Sequence, residues 1–438
     1  MKRTVLTVAL AASCGAGIYA QDIYSLKQCI ETGLERNYSI RIVRNEEQIA
    51  ANNATPGNAG YLPTADLNAG FGGSVYNNNR PADGGTEQLP GVRSETADAG
   101  LNLQWTAFDG FAIQAEYARL KELQRLGELH TRMTVEDFIA GIAGEYYHLV
   151  RQTIRLGNLR YAVSLSRERL RIVEERYSIG SVSRMDLQQA QVDFNADSSM
   201  LFTQFETLHS SRVRLNELMA LDDVDRFVRI RDSVIDVNTL LDETSLRDNM
   251  LNNNAALLTS ARNRTLSELD YRKALSRNYP YVRLNAGYGY TGTWTGTEAT
   301  DLQQRLGLNY GLTVGFTLFD GLNRRREQRN TRIQIQNSEL RMQQLELSLR
   351  ASHSNLWMAY RNNLELWELE KKNLVVAQEN YAIAIERYRL GDLAGIELRE
   401  AQNSLLEAEE RRSIAEYNIK LCEISLIQLS GQALKYLE

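Results

Sequence analysis

Proline is scarce in this chain of 438 residues, with five in all, which excludes a Pro-rich linker architecture. Cysteine is scarcer still: three residues are too few for a scaffold built on disulfides. The four histidines, His130, His148, His209 and His353, are scattered, and no spacing puts two of them on one helix face beside a carboxylate, as a metal site requires. Positive charge is not in excess, with 50 Lys and Arg against 55 Asp and Glu and a net charge of −5, so nucleic acid is not an expected partner. Beyond the N-terminus no apolar run approaches the ~20 residues of a spanning helix, and the mean hydropathy is −0.40. Such values do not exclude a transmembrane β-barrel, whose alternating strands are polar on average. Enzyme signatures are missing as well. Gly287-Tyr288-Gly289-Tyr290-Thr291-Gly292 has the form of a dinucleotide fingerprint, but Trp294 and a polar loop follow it where a helix is needed. No Gly-x-Ser-x-Gly elbow occurs, and neither catalysis nor a cofactor is expected.

What is present begins with an export signal. Met1-Lys2-Arg3 is basic, Thr4 to Ala12 is apolar, and small residues lead to Ala20, so residues 1–20 read as a signal peptide cleaved before Gln21. Lipoprotein processing at Cys14, within Ala11-Ala12-Ser13-Cys14, is the alternative. Of the cysteines left, Cys29 and Cys422 fall on apolar helical faces and read as small buried hydrophobes, with a bridge between them as the second reading.

The remainder is one unit written twice. Leu34-Glu35-Arg36-Asn37 matches Leu251-Asn252-Asn253-Asn254, and Leu67-Asn68-Ala69-Gly70 matches Leu284-Asn285-Ala286-Gly287. Pro63 matches Pro280, Phe108-Asp109-Gly110 matches Phe319-Asp320-Gly321, and Arg176-Tyr177-Ser178-Ile179-Gly180 matches Arg387-Tyr388-Arg389-Leu390-Gly391. The expected division is a first repeat over 21–220 with strands at 62–76 and 95–108, an equatorial connector over 221–244, and a second repeat over 245–438 with strands at 281–294 and 304–319. The first copy has the longer loop between its strands.

The strands alternate over ten or more residues. Leu306, Leu308, Tyr310, Leu312, Val314, Phe316 and Leu318 are separated by Gly, Asn and Thr, the pattern of a strand with one lipid-facing and one polar side. Gly110 to Tyr177 and Gly321 to Tyr388 span 68 residues each without proline, roughly 100 Å if helical throughout. The helices that follow carry a heptad seam: Leu398, Ala401, Leu405, Ala408, Arg412, Ala415, Ile419, Cys422 in the second copy, and Leu187, Ala190, Phe194, Asp197, Leu201, Gln204, Leu208, Ser211 in the first. Four strands cannot close a barrel, and open edges cannot sit in lipid. Two chains would give eight strands, a barrel filled by its own side chains, whereas three give 12 around open water. The expected fold is therefore mixed α and transmembrane β: a trimer sharing a 12-stranded barrel that continues into a long α-helical barrel.

These marks together (the opening helix from Leu26 to Asn37, the prolines before the strands, the Phe-Asp-Gly exits and the two Arg-Tyr-x-x-Gly tips) resemble the outer membrane factors of the TolC family over essentially the whole mature chain. The resemblance implies a homotrimer in outer-membrane lipid that projects into the periplasm, with an adaptor protein and an inner-membrane pump of RND or ABC type as partners. It implies adaptor contact at the tips, Tyr177, Gly180, Tyr388 and Gly391. It also places Glu397 and Glu400 in acidic rings around a closed aperture, and Tyr388 with Asp186 in a latch between helix pairs. Leu393 stands where a basic latch residue is usual in such proteins, so closure is expected to be looser or built differently. The resulting expectation is a passive exit duct for efflux or type I secretion. A structural or adhesive trimer whose barrel only anchors a coiled coil is the alternative, and a soluble two-repeat binding protein ranks third. Arg324-Arg325-Arg326 reads equally as a contact to anionic headgroups or as a solvated helix start.

Overall fold

A computed structural model describes residues 23–82, 85–296 and 301–437. The signal at 1–20 and the alternative site at Cys14 lie outside the described residues. The chain opens with strand β1 (Ile23–Tyr24), then helices α1 (Leu26–Arg36), α2 (Tyr38–Asn53) and the single turn α3 (Pro56–Ala59). Strands β2 (Thr64–Ala82) and β3 (Gly85–Phe108) follow, then the long helix α4 (Ala112–Ser178) and α5 (Arg184–Leu218). After β4 (Arg229–Ile230) the order recurs: α6 (Glu243–Asn253), α7 (Ala255–Ser276), β5 (Tyr281–Gly296), β6 (Asp301–Gly315), α8 (Asn323–Leu390) and α9 (Gly395–Leu429).

The four long strands form one antiparallel sheet in the order β2-β3-β5-β6, so the pairing of β3 with β5 joins the two halves. Register sorts the side chains by face. Leu67, Leu101, Tyr288 and Leu308 form one row, and Asp66, Asn102, Gly287 and Asn309 form the next row on the opposite face. The apolar face is bare, with Leu67 80% and Tyr310 83% exposed. Nothing pairs with the outer edges of β2 and β6 among the described residues.

Strand bounds differ from the expectation at two places. The fourth strand runs over 301–315, not 304–319, because Gly315 faces Tyr281, and Pro280 before it has no N–H to continue the ladder. The first hairpin continues where a loop was expected, with Asn78 facing Leu89 and Arg80 facing Glu87 beyond a register shift at Tyr76 and Asn78. The Asn77 side chain accepts from the Gly91 amide at 3.0 Å there. Backbone pairing thus continues beyond the alternating stretch.

The Phe-Asp-Gly motif turns each hairpin into its long helix. Asp109 accepts from the Ile113 amide at 3.1 Å, and Asp320 accepts from the Arg324 amide at 3.0 Å. Gly110 lies at φ 71°, and a Cβ there would come within 2.8 Å of Tyr279 Cβ, so only glycine fits. The helices pack around three apolar clusters. The largest surrounds Tyr146, Ile142, Ile30 and Leu215 beneath the connector, and another lies near the tips around Leu398, Leu405 and Tyr388. Cys29 sits in the first cluster, where burial pushes its thiol up to about 12, and Cys422 flanks the third. Both are free thiols, so the bridge between them does not form.

Asn37 and Asn254 join short helices to long ones. Asn254 caps α7 by accepting from the Ala256 and Leu257 amides at 3.0 and 3.2 Å, and its Nδ2 donates to the Leu429 carbonyl at 2.9 Å. Asn37 repeats this on the Ser39 amide at 2.9 Å and the Leu218 carbonyl at 3.0 Å. One side chain thus satisfies an orphan donor at one helix start and an orphan acceptor at another helix end. Arg132 of α4 braces the second joint, donating to the Asn253 carbonyl at 2.9 Å and the Gly431 carbonyl at 3.2 Å. Asn254→Ser keeps a cap but cannot reach Leu429, and is expected to cost about 1 kcal/mol in thermal unfolding; Asn254→Ala loses both bonds and should cost about 2 kcal/mol. Equal losses would show that the bond to Leu429 contributes nothing.

Candidate functional site: the paired helix tips

Helix α4 ends in a turn at Gly180 (φ 75°), and α8 ends at Gly391 (φ 89°), the left-handed conformation that closes a helix most readily on glycine. The Ser181 amide donates to the Arg176 carbonyl at 2.8 Å, and the Asp392 amide donates to the Arg387 carbonyl at 3.0 Å. Helix α5 then starts with a reciprocal cap: Asp186 accepts from the Ser183 amide at 3.0 Å and hydroxyl at 2.7 Å, while the Asp186 amide donates to Ser183 Oγ at 3.2 Å. These bonds from Ser183 hold the Asp186 carboxyl below its usual range. Helix α9 has only half of that device. Glu397 reaches back to the Ala394 amide at 3.0 Å, and Ala394 has no side-chain acceptor to return it.

Tyr388 is 4% exposed, and burial pushes its phenol up. It shares a cavity of about 670 Å³ with Asp186, Arg169, Arg176, Met185 and Leu393. The structure therefore brings Tyr388 and Asp186 to one cavity but makes no hydrogen bond between them, since the carboxylate is engaged by the α5 cap. Leu393 packs against the apolar cluster around Tyr388 and Leu398. Tyr177, Gly180 and Gly391 are exposed at the turns, and Glu397 and Glu400, three residues apart on α9, are exposed together.

Arg176 is the residue that sequence reasoning passed over, although the Arg-Tyr-x-x-Gly motif contains it. Its guanidinium lies 4.9 Å from the Tyr388 ring centroid and donates to the Tyr388 carbonyl at 2.7 Å and the Arg389 carbonyl at 3.2 Å. It binds the last turn of α8, where orphan carbonyls and the negative helix end favour a cation. One side chain of the first hairpin thereby holds the second.

Further from the turns the hairpins share a buried polar network. Arg399 of α9 grips Asp197 of α5 with bonds of 2.6 and 2.7 Å, and Asp197 is fully buried. Ser166 of α4 donates to the same carboxylate, and Gln402 donates to Ser166 at 3.1 Å. Arg169 pairs with Asp193. A signal for this network was present in the seam. Asp197, Gln204 and Ser211, seven apart, stand where the second copy has Ala408, Ala415 and Cys422. Each meets α4: Gln204 donates to Gln152 Oε1 at 2.8 Å, and Ser211 donates to Glu145 at 3.1 Å. Polar seam residues of this kind fix helix register. Among the described residues no cluster of His, Cys, Asp and Glu could hold a metal ion, and no helix is long and apolar enough to cross a membrane.

The sequence profile of the outer membrane efflux proteins matches residues 29–220 and again residues 246–432. The fold is similar to that of the Campylobacter jejuni CmeC outer membrane channel, at 16% identity and a TM-score of 0.77, over 99% of this chain and 94% of that one. It is similar to the outer-membrane channel OprN at 18% identity and a TM-score of 0.76, over 93% and 90% of the two chains. The outer membrane protein VceC of Vibrio cholerae matches at 16% identity and a TM-score of 0.73, over 93% and 96%. No curated protein matches the chain by sequence.

The clamp can be tested by amide hydrogen exchange at Tyr388 to Asp392. Charge-assisted bonds contribute about 1.5–3 kcal/mol each, so Arg176→Ala should speed exchange there about tenfold or more. Arg176→Lys keeps the charge without the planar fork and should restore only part of the protection. Unchanged exchange in the alanine variant would refute the clamp.

Proposed function

The chain belongs to the outer membrane efflux protein family, and we propose that three copies form a passive exit duct across the outer membrane. The observation that carries this reading is the sheet. It has an apolar face bare of protein, an opposite face of Asn, Gly, Thr and Asp, and two unpaired edges. An unpaired backbone group in hydrocarbon costs several kcal/mol, so β6 of one chain pairs with β2 of the next, and three chains close a 12-stranded barrel around water. The helices support the same assembly. Leu369, Val376, Ile383 and Leu390, seven apart on α8, are all exposed, as are Val192 and Phe202 on α5. Those two faces have no partner within the chain and suit a neighbouring copy.

In this duct the helices extend into the periplasm, and the tips at Tyr177, Gly180, Tyr388 and Gly391 meet an adaptor that an inner-membrane pump of RND or ABC type works through. The duct passes cargo without chemistry. Threefold symmetry gathers Glu397 and Glu400 around the axis, where like charges concentrate cations. Asp186 and Tyr388 take part in closure, Asp186 through the cap that orders the start of α5 and Tyr388 as the surface on which Arg176 rests. The missing basic residue at Leu393 is offset by Arg176, which supplies positive charge from α4.

Native mass measurement in mild detergent should give three chains, and a monomer would sink the barrel and the duct with it. In planar bilayers, Tyr388→Ala combined with Asp186→Ala should raise single-channel conductance. Glu397→Gln with Glu400→Gln should lower the preference for cations over anions, read as a shift in reversal potential under a salt gradient. If neither pair of substitutions changes the trace, the aperture lies elsewhere.

A further inference from the structure

The connector crosses α4 and α5 in extended form, and from Phe227 to Ser233 its residues alternate. Val228 and Asp232 turn inward, Val228 into the core and Asp232 to accept from the Tyr146 hydroxyl at 2.9 Å. Phe227, Arg229, Arg231 and Ser233 are exposed on the other side. Together with α4 and α5 this segment bounds a groove of about 730 Å³, floored by Leu149, Leu156 and Leu208. Arg160 and Arg212 stand along it, with guanidinium carbons 5.6 Å from the Phe205 ring and 4.2 Å from the Phe227 ring.

Arg160, Arg212, Arg229 and Arg231 make no ion pair among the described residues, and Arg212 Nε is buried without a hydrogen-bond partner. Burial lowers the pKa of Arg212, the sign of a cation short of counter-charge. Asp232 also lines the groove, where it accepts from the Tyr146 hydroxyl, and Asp225 lies 3.8 Å from His209, so four arginines stand against one lining carboxylate. Among the described residues the only strand beside β4 is β1, so this small sheet keeps open edges there.

We propose that this groove docks an extended acidic segment of a partner protein, laid beside the β1/β4 pair. Residues two apart on a strand repeat at about 6.6 Å, so alternate carboxylates of an extended peptide match Arg229 and Arg231. The open edge supplies backbone pairing, as when a peptide adds a strand to a sheet. An apolar side chain between the carboxylates fills the floor between Phe205 and Phe227. A peptide fits better than a lipid or a polynucleotide, because the charges stand at strand spacing over an apolar floor. The groove is lined by residues of a single chain.

The test uses the full assembly in detergent and two fluorescein-labelled peptides, Glu-Phe-Glu-Phe-Glu and Gln-Phe-Gln-Phe-Gln, followed by fluorescence anisotropy. The acidic peptide should bind at least about tenfold more tightly, and added salt should weaken it. Arg229→Ala with Arg231→Ala should cost about tenfold in that affinity, with the thermal unfolding curve unchanged because both side chains are exposed. Phe227→Ser, tested separately, should weaken both peptides. Equal binding of the two peptides, undiminished binding to the double variant, or no binding because a neighbouring copy fills the groove would each overturn the proposal. Displacement of the acidic peptide by soluble muropeptides at lower concentration than by itself would overturn it too, in favour of an anionic glycan.

Discussion

An unpaired strand edge cannot remain in hydrocarbon, and most of this architecture follows from that. The sheet β2-β3-β5-β6 gives lipid a continuous apolar face and leaves a row of N–H and C=O groups bare at each side. A single chain has no internal cure, because β2 and β6 lie three strands apart in a sheet that is too narrow to close. In the proposed duct the defect is met by another copy of the same chain. With the strands shared in that way, the helices that emerge from them would form a ring. The Phe-Asp-Gly turns matter for this reason: each fixes the direction of a long helix relative to the strand that precedes it, and glycine alone permits the close approach to Tyr279.

Long helices need their register held far from the membrane, and apolar packing alone does this poorly, since a seam of Leu and Ala tolerates sliding by a heptad. The chain counters this with fixed polar points. Asn37 and Asn254 lock the stacked helix ends, and Asp197, Gln204 and Ser211 engage α4 at three levels. A buried carboxylate such as Asp197 is tolerable only with both Arg399 bonds made. Removing one partner of such a pair costs about 3–5 kcal/mol, so neighbouring registers are strongly disfavoured.

How legible this was in the sequence depended on what each feature owed to side-chain chemistry. Alternation from Leu306 to Val314 is visible because one face of that strand is apolar and the other polar, whereas the outer half of the β2/β3 hairpin pairs through its backbone, which leaves no such trace. The glycines of the tips were readable because left-handed turns demand them. Arg176 was not, because its role depends on α8 lying beside α4, a contact between residues more than two hundred positions apart. The buried network was half legible: Asp197 in a seam of apolar residues announced itself as a departure, but its partner Arg399 lies on another helix with no periodic mark. Asp186 shows the reverse limit. A Tyr–Asp pairing drawn from resemblance gave the right cavity, while the local cap took the carboxylate.

The distribution of these ties also constrains how the tips can part. Ser166 and Asp197 lie twelve or more residues from the end of α4 and the start of α5, so the last ~18 Å of the first hairpin extends beyond them as a lever, whereas Arg399 sits four residues into α9. The buried network is the costly place to break and therefore the fixed point. Between it and the turns the polar tie across the two hairpins is Arg176 on Tyr388, an exchangeable contact of one side chain with two carbonyls and a ring, beside the apolar cluster that includes Val173, Ala190 and Leu398. A force applied at the turns acts with full leverage on that contact and with little on the network. In the proposed duct, opening would release Arg176 and part the apolar cluster around Tyr388 and Leu398 in each chain, while Asp197 and Arg399 keep α5 and α9 in register.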